Sequence, residues 1–257
     1  MTEQSDMETG APISPQITRM RHELHRRNLK VASSERLTPH MIRLTLEGSE
    51  LEGFVSAAPD DHFKLFVPDG EEGDARRDYT PRLYKDGRLT VDVVDHPGGP
   101  AADWARLAAT GDSVMIGGPR GSVVIGGDIR HWVLIGDETA LPAIGRRIEE
   151  LPAESSVMSI VAVPGPEDEQ RFETAARHDP VWLHRPLSEA TEARPYIEAL
   201  EKIDLPPQTF VWVAAEAAVA REIRSYLLDR GHDLQWIKAS GYWIKGQADA
   251  SDKSIGE

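Results

Sequence analysis

His131-Trp132-Val133-Leu134-Ile135-Gly136-Asp137-Glu138-Thr139-Ala140-Leu141-Pro142-Ala143-Ile144 is the stretch on which the reading of this chain turns. The run from His131 to Ile135 is short and apolar, as a strand buried on both faces must be, and it stops at Gly136. A helix follows with Leu141, Ile144, Ile148 and Leu151 on one stripe, while Arg146, Arg147, Glu149 and Glu150 occupy the other faces. Val157 to Val163 reads as the next strand, and Val181 to Leu183 and Thr209 to Val213 repeat the type. After Val213 a second helix carries Val219, Ile223 and Leu227 and stops at Gly231. Strand and helix in alternation predict a doubly wound parallel sheet with helices on its faces.

Upstream of His131 the texture is different. Asn28 to Leu46 is extended in character, Phe63 to Val67 and Leu89 to Val94 are apolar or β-branched, and Ser113 to Ile116 and Ser122 to Ile125 are bounded by glycines. Short strands at this spacing, interrupted by one helix near Ala101 to Ala109, predict a small antiparallel barrel. The fold class is therefore α/β plus β, with a β-barrel over residues 18–128 and a parallel-sheet domain over 129–246. Residues 1–17 and 247–257 are polar and without period and are expected to be flexible tails.

The chain has 257 residues, with 43 Asp and Glu against 29 Lys and Arg, a formal net charge of −14, and no cysteine. Such a field repels nucleic acid and anionic membrane surfaces, so no nucleic-acid partner is expected. Without cysteine there is no disulfide, thiolate nucleophile, Cys-type zinc site or ordinary iron–sulfur cluster, and redox chemistry must use a borrowed cofactor. No stretch approaches the ~20 apolar residues that span a bilayer, and the first residues lack a basic start followed by an apolar run. A cytoplasmic protein without membrane insertion is the expectation.

Six segments carry candidate chemistry. Arg77-Asp78-Tyr79-Thr80-Pro81-Arg82 offers an aromatic ring to pack on a flat conjugated ligand, a hydroxyl for its polar edge and flanking guanidiniums for phosphate; its plainer reading is a strand start with solvated arginines. Asp95-His96-Pro97-Gly98-Gly99-Pro100-Ala101-Ala102-Asp103-Trp104-Ala105 leads into a helix whose first amides can bind an anion. Gly117-Gly118-Pro119-Arg120-Gly121-Ser122 reads equally as a hairpin turn. In Gly136 to Ile144, Asp137 and Thr139 are helix-capping residues at the carboxyl end of a strand, where open α/β sheets bind ligands, although no Gly-x-Gly-x-x-Gly is present. Val211-Trp212-Val213-Ala214-Ala215-Glu216 and Gly241-Tyr242-Trp243-Ile244-Lys245-Gly246 close the set.

Taken in order and with these gaps, the segments resemble the signatures of the siderophore-interacting proteins, within the ferredoxin-reductase-like superfamily of flavoenzymes. Ala102, Ala215 and Ile244 stand where that family usually has Ser, Gly and Arg. The resemblance implies FAD on the barrel, contacted by Arg77, Tyr79, Thr80, Arg82, His96, Gly99, Pro100, Ala101, Ala102 and Trp104. It implies NADPH or NADH on the sheet, near Asp137, Glu138, Thr139, Glu216, Arg221, Arg224, Tyr242 and Trp243. The arginines read equally well as helix cations paired with Glu222 or Asp229. Ferric siderophore is the implied substrate, with Lys64, Arg146 and Lys245 forming a local positive patch for it. No residue is required as an acid, base or metal ligand, and a monomer is expected. Two alternatives stay open: a reductase of the same superfamily with another acceptor, such as free flavin, and a flavin- or siderophore-binding protein without turnover.

Overall fold

The computed structural model describes residues 14–68, 73–253 and 255. The first half contains nine strands: β1 (Gln16–Arg21), β2 (Arg26–Thr38), β3 (Met41–Glu47), β4 (Phe63–Pro68), β5 (Asp74–Tyr79), β6 (Leu83–Lys85), β7 (Arg88–Val94), β8 (Ser113–Gly117) and β9 (Gly121–Gly126). Helix α1 (Pro100–Leu107) lies between β7 and β8. Seven strands form one antiparallel sheet in the order β5-β4-β8-β2-β3-β7-β6, and β1 pairs with β9 beside it.

The sheet is closed by its own connectivity. Strands β5 and β6 are its two ends, yet only Thr80-Pro81-Arg82 separates them in the chain. Seven strands laid flat would span about 29 Å between the end strands, whereas this connection reaches about 14 Å. The sheet must therefore curl, and Arg82 N donates to Thr90 O of β7 at 2.9 Å at the seam. Period-two alternation fills the interior: Leu29 and Val31 of β2, Leu44 and Leu46 of β3, and Leu65 and Val67 of β4 are all buried. This is the small barrel the sequence predicts.

The second half contains β10 (His131–Gly136), α2 (Leu141–Glu150), β11 (Ser156–Val163), β12 (Arg177–His184), α3 (Arg194–Leu200), β13 (Thr209–Glu216), α4 (Ala217–Asp229) and β14 (Ile237–Trp243). Its five strands are all parallel, in the order β12-β11-β10-β13-β14. Every residue of β13 is buried, because this central strand is covered on both faces. Helix α4 ends in a Schellman arrangement: Gly231, at φ 87°, donates to Leu228 O at 2.9 Å, and His232 N donates to Leu227 O at 2.9 Å.

Residues 247–253 and 255, expected from the sequence to belong to a tail, fold back on β14. Gly241 N donates to Asp252 O at 2.6 Å, Asp252 N returns a bond to Gly241 O at 2.8 Å, and Ile255 is buried. The physical reason is that β14 is a sheet edge whose backbone groups need partners. At the other end, residues 16 and 17 already belong to β1, while 1–13 lie outside the described residues.

The two halves share an extensive junction. Met41 of the barrel sits in the core formed by Leu134, Leu141, Trp212 and Trp236 of the second half. Arg82 makes a two-pronged pair with Glu149 of α2, with both contacts at 2.7 Å. Asp60 receives Lys238 Nζ at 2.5 Å, and the turn after β2 is held by Asp168, which accepts from His40 N at 2.9 Å.

Candidate functional site

In the parallel sheet the strand order reverses beside β10, with β11 and β12 on one side and β13 and β14 on the other. Connections diverge to opposite faces at such a point and leave a crevice at the carboxyl ends of the strands. Gly136 ends β10, Glu216 ends β13, and the crevice opens toward the α1 end of the barrel. The result is a cleft of about 720 Å³ lined from both halves.

The barrel wall is made by β5, the seam that follows it and the entry to α1. Arg77, Tyr79 and Thr80 line the cleft, as do His96, Gly99, Pro100, Ala101 and Ala102. Helix α1 begins with Gly99 as its cap and Pro100 in the first turn, and no side chain caps it. The amides of Ala101 and Ala102 are thus left for an anion. The His96 ring lies close over Gly99, where a Cβ would come within 2.5 Å of His96 Cε1 and the ring would have to turn aside. Burial pushes the Tyr79 phenol well above its ordinary range, so the ring stays neutral.

The sheet wall is contributed by Glu138, Thr139, Tyr242 and Trp243. Beneath them Asp137 is fully buried and binds four donors. Its Oδ1 accepts from Thr139 N at 2.9 Å and Thr139 Oγ1 at 2.5 Å, and its Oδ2 accepts from Trp243 Nε1 at 2.9 Å and Glu216 N at 3.2 Å. Glu138 pairs with Arg185 at 2.8 Å, both buried. Burial, then neighbouring Asp137, push the Glu138 carboxyl up to about 7 against the pull of Arg185. The Tyr242 hydroxyl is buried and meets no protein partner among the described residues.

A stacking ring, two uncapped amides, the half-buried Arg77 and an orphaned phenol make a set suited to a dinucleotide bearing a flat polar ring system. Buried polar groups in folded proteins are mostly hydrogen-bonded, and of the five buried side-chain atoms without a hydrogen-bond partner among the described residues, the Tyr242 hydroxyl and Asp78 Oδ1 belong to residues that line the cleft, where a ligand group can meet them. The residues present fit FAD.

Other residues singled out from the sequence lie outside the lining. Arg82 is buried against Glu149, with Asp92 at 3.8 Å, and serves the junction. Trp104, on α1, packs against the barrel core. Glu216 caps α4 by accepting from Ala218 N at 2.6 Å and Val219 N at 3.3 Å. Arg221 pairs with Asp252 at 2.6 Å on the surface of α4, and Arg224 is one turn further along. Lys64, Arg146 and Lys245 sit on different elements and are each held by their own partners. Lys64 is held by Asp249 at 2.6 Å and Asp78 at 3.0 Å, while Lys245 Nζ is 3.5 Å from Thr191 Oγ1. Arg146 bridges to the barrel through Ser56 Oγ at 2.7 Å and Pro81 O at 3.1 Å.

The structure also brings in residues that motif reading passed over. Asp60, His62, Lys238, Asp249 and Lys253 line the cleft. Lys253 donates to Asp78 Oδ2 at 2.9 Å. Burial opposes ionisation of Asp78, but Lys253, His62 and Lys64 together hold its carboxyl below the usual range. The adjacency of Asp60-Asp61-His62 to Lys64 was the available signal for part of this group. For Lys238 and Lys253 the sequence offered none.

A β-barrel joined to a doubly wound parallel sheet, with a cleft lined from both, is a fold also found in ferredoxin reductases. The ferredoxin reductase of carbazole 1,9a-dioxygenase shares the fold, with a TM-score of 0.63 at 16% identity over 86% of this chain and 66% of that one. Closer likeness is more particular. Residues 129–246 match the family model described as siderophore-interacting protein, and residues 30–76 and 68–123 match the siderophore-interacting FAD-binding domain. The NADPH-dependent ferric-chelate reductase of Escherichia coli (strain K12) is 32% identical, covering 91% of this chain and 98% of that protein. The ferric vibriobactin reductase ViuB of Vibrio cholerae is 27% identical over 82% and 86% of the two chains. A siderophore utilization protein from T. fusca superposes with a TM-score of 0.86 at 34% identity, over 91% of this chain and 98% of that one. The chain belongs to the siderophore-interacting protein family.

Proposed function

We propose that this protein is an NAD(P)H-dependent ferric-siderophore reductase that uses FAD and releases ferrous iron for assimilation inside the cell. The observation that carries the reading is the single cleft in which the uncapped start of α1 and Tyr79 face Glu138, Thr139 and Trp243 from the other domain. The relatives named for ferric-chelate and ferric vibriobactin reduction extend over nearly their whole length in this chain, which supports the same reaction class.

In this reading residues 18–128 hold FAD and residues 129–246 receive the nicotinamide nucleotide. FAD held there would supply the chemistry that matches a two-electron hydride donor to one-electron ferric iron. Arg77, Tyr79 and Thr80 would hold its ring and polar edge, and the amides of Ala101 and Ala102 would take the pyrophosphate. Asp137 fixes the Thr139 turn and the Trp243 ring, so the wall that meets the nicotinamide is preorganised. The protein supplies position rather than a proton donor, because an electron passed to iron needs no acid or base. Ferrous iron is held less tightly than ferric iron by hard oxygen donors, so reduction leads to release.

No helix among the described residues is long and apolar enough to cross a membrane, and we place the enzyme in the cytoplasm as a monomer. The test is an anaerobic absorbance titration of the FAD-loaded protein with NADH and NADPH, followed by ferric siderophore. Flavin bands that bleach with donor and return with siderophore support the proposal. A protein that cannot be loaded with FAD would refute it.

A further inference from the structure

We propose that residues 244–253 form a latched flap, which must open for FAD to enter or leave the cleft. The inference rests on the placement of FAD in that cleft. The flap is rooted in one domain and fastened at its tip to the other, and the two attachments differ in kind.

The root belongs to the parallel sheet. The chain leaves β14 at Trp243, turns where Gln247 N donates to Ile244 O at 3.0 Å with Gly246 at φ 76°, and returns to the same strand. On the return, Asp252 and Gly241 exchange two backbone hydrogen bonds of 2.6 and 2.8 Å, and Asp252 Oδ2 accepts from Arg221 of α4 at 2.6 Å. Ser240 Oγ donates to Lys253 O at 3.1 Å, and Ile255 is buried in the same core as Val219 and Ala239. Backbone bonds and apolar burial of this sort are lost only when the edge of the domain unfolds.

The tip is held differently. Asp249 takes Lys64 of β4 at 2.6 Å and Arg76 of β5 at 3.2 Å, and Lys253 reaches Asp78 of β5 at 2.9 Å. Among the described residues the flap makes no backbone hydrogen bond to β4 or β5. The paired side chains keep between 23% and 65% exposure, so water replaces either partner at little cost. Asp249 sits at φ 55°, a left-handed conformation that Asp and Asn tolerate better than most residues, so the residue that carries the latch also sets the bend of the tip.

Residues 247–251 and 253 line the same cleft as Tyr79 and the uncapped start of α1. The domains themselves are joined by buried contacts, among them Met41 in the second core and the two-pronged Arg82–Glu149 pair. A segment pinned by exposed ion pairs opens far more often than such a junction parts. FAD, reaching from Tyr79 to α1, needs a wide opening, and the flap is the part of the lining that yields at least cost.

The test follows FAD exchange by stopped-flow flavin fluorescence, without donor or iron. Opening precedes passage in both directions, so a weakened latch raises the association and dissociation rates together and leaves Kd unchanged. A residue that merely touches FAD would raise the dissociation rate and Kd in step. Asp249→Asn keeps a residue suited to the left-handed backbone and removes the charge. Both rates should rise about fivefold at about 20 mM salt with Kd within about twofold, and wild type should approach the variant by about 300 mM. Lys64→Gln should act the same way from the barrel side and add little in the double variant. In the FAD-free protein, tryptic cleavage after Lys245 or Lys253, read by intact mass, should be about fivefold faster in Asp249→Asn. Unchanged exchange rates, or a dissociation rate that rises in step with Kd, overturn the flap as a gate, and unchanged cleavage overturns the latch. Loss of turnover with FAD bound would sink the reductase reading alone, and the exchange rates would still decide the gate.

Discussion

The indole Nε1 of Trp243 donates to Asp137 Oδ2 at 2.9 Å, tying the end of edge strand β14 to the turn after β10. The same carboxylate holds Thr139 and the backbone of Glu216, so one buried side chain fixes the ends of three strands where the cleft is formed. A carboxylate accepts from four donors here; an amide offers one acceptor oxygen and turns a donor toward the rest.

Asp137→Asn should therefore cost about 2–3 kcal/mol of stability, since bonds to a charged acceptor are worth about 1.5–3 kcal/mol and a buried donor is left unmet. Urea denaturation monitored by tryptophan fluorescence measures it. Nicotinamide affinity should fall as well, because Thr139 and Trp243 lose their common anchor.

Glu138 provides a pH signature. Its folded carboxyl is raised from 4.5 to about 7, so the folded state retains a proton that the unfolded state has lost between those values. The contribution is fully present below about pH 4.5 and disappears as pH rises through about 7, with a slope of up to about 1.4 kcal/mol per unit. The stability of wild type relative to Glu138→Gln should decline over that window. A difference that is constant with pH would count against this placement of Glu138.

Arg82 and Glu149 join the barrel seam to α2 through two 2.7 Å contacts. Because Glu149 retains 32% side-chain exposure, the loss in Glu149→Gln is set at about 1–2 kcal/mol, below the value for a fully buried pair. Arg82→Lys should recover less than half of the pair's coupling in a double-mutant cycle, since an ammonium cannot make the planar two-pronged contact.

Tyr79→Ala removes the ring offered by the barrel wall. The FAD dissociation constant should rise about tenfold, from the loss of ring contact worth about 1.4 kcal/mol, while Tyr79→Phe should stay close to wild type. Equilibrium dialysis with FAD measures both.

How far the sequence could be read depended on whether a residue's role was local. Strands β10 and β13 were legible because burial on both faces forces continuous apolar runs, and α4 because Val219, Ile223 and Leu227 fall on one stripe before Gly231. Strand β5 was read only as a motif, since Asp-Ala-Arg-Arg-Asp-Tyr has no apolar alternation and its strand form comes from pairing with β4. The role of Arg82 was illegible for another reason: Glu149 is 67 residues away, and no spacing rule reports that distance. Lys238 and Asp60 are 178 residues apart and reach each other only through the junction of the two domains. The three cations proposed for substrate shared no element, so the sequence could suggest them singly but could not show that Asp249 covers one of them.

The most direct test of the account is the count of ferrous iron released per nicotinamide oxidised, measured anaerobically with the FAD-loaded protein, a ferric tris-hydroxamate and a chromogenic ferrous chelator. The account predicts two ferrous ions trapped for each NADH or NADPH consumed, with no turnover when FAD is withheld. Donor oxidation without ferrous iron, or iron reduction that is independent of FAD, would contradict it.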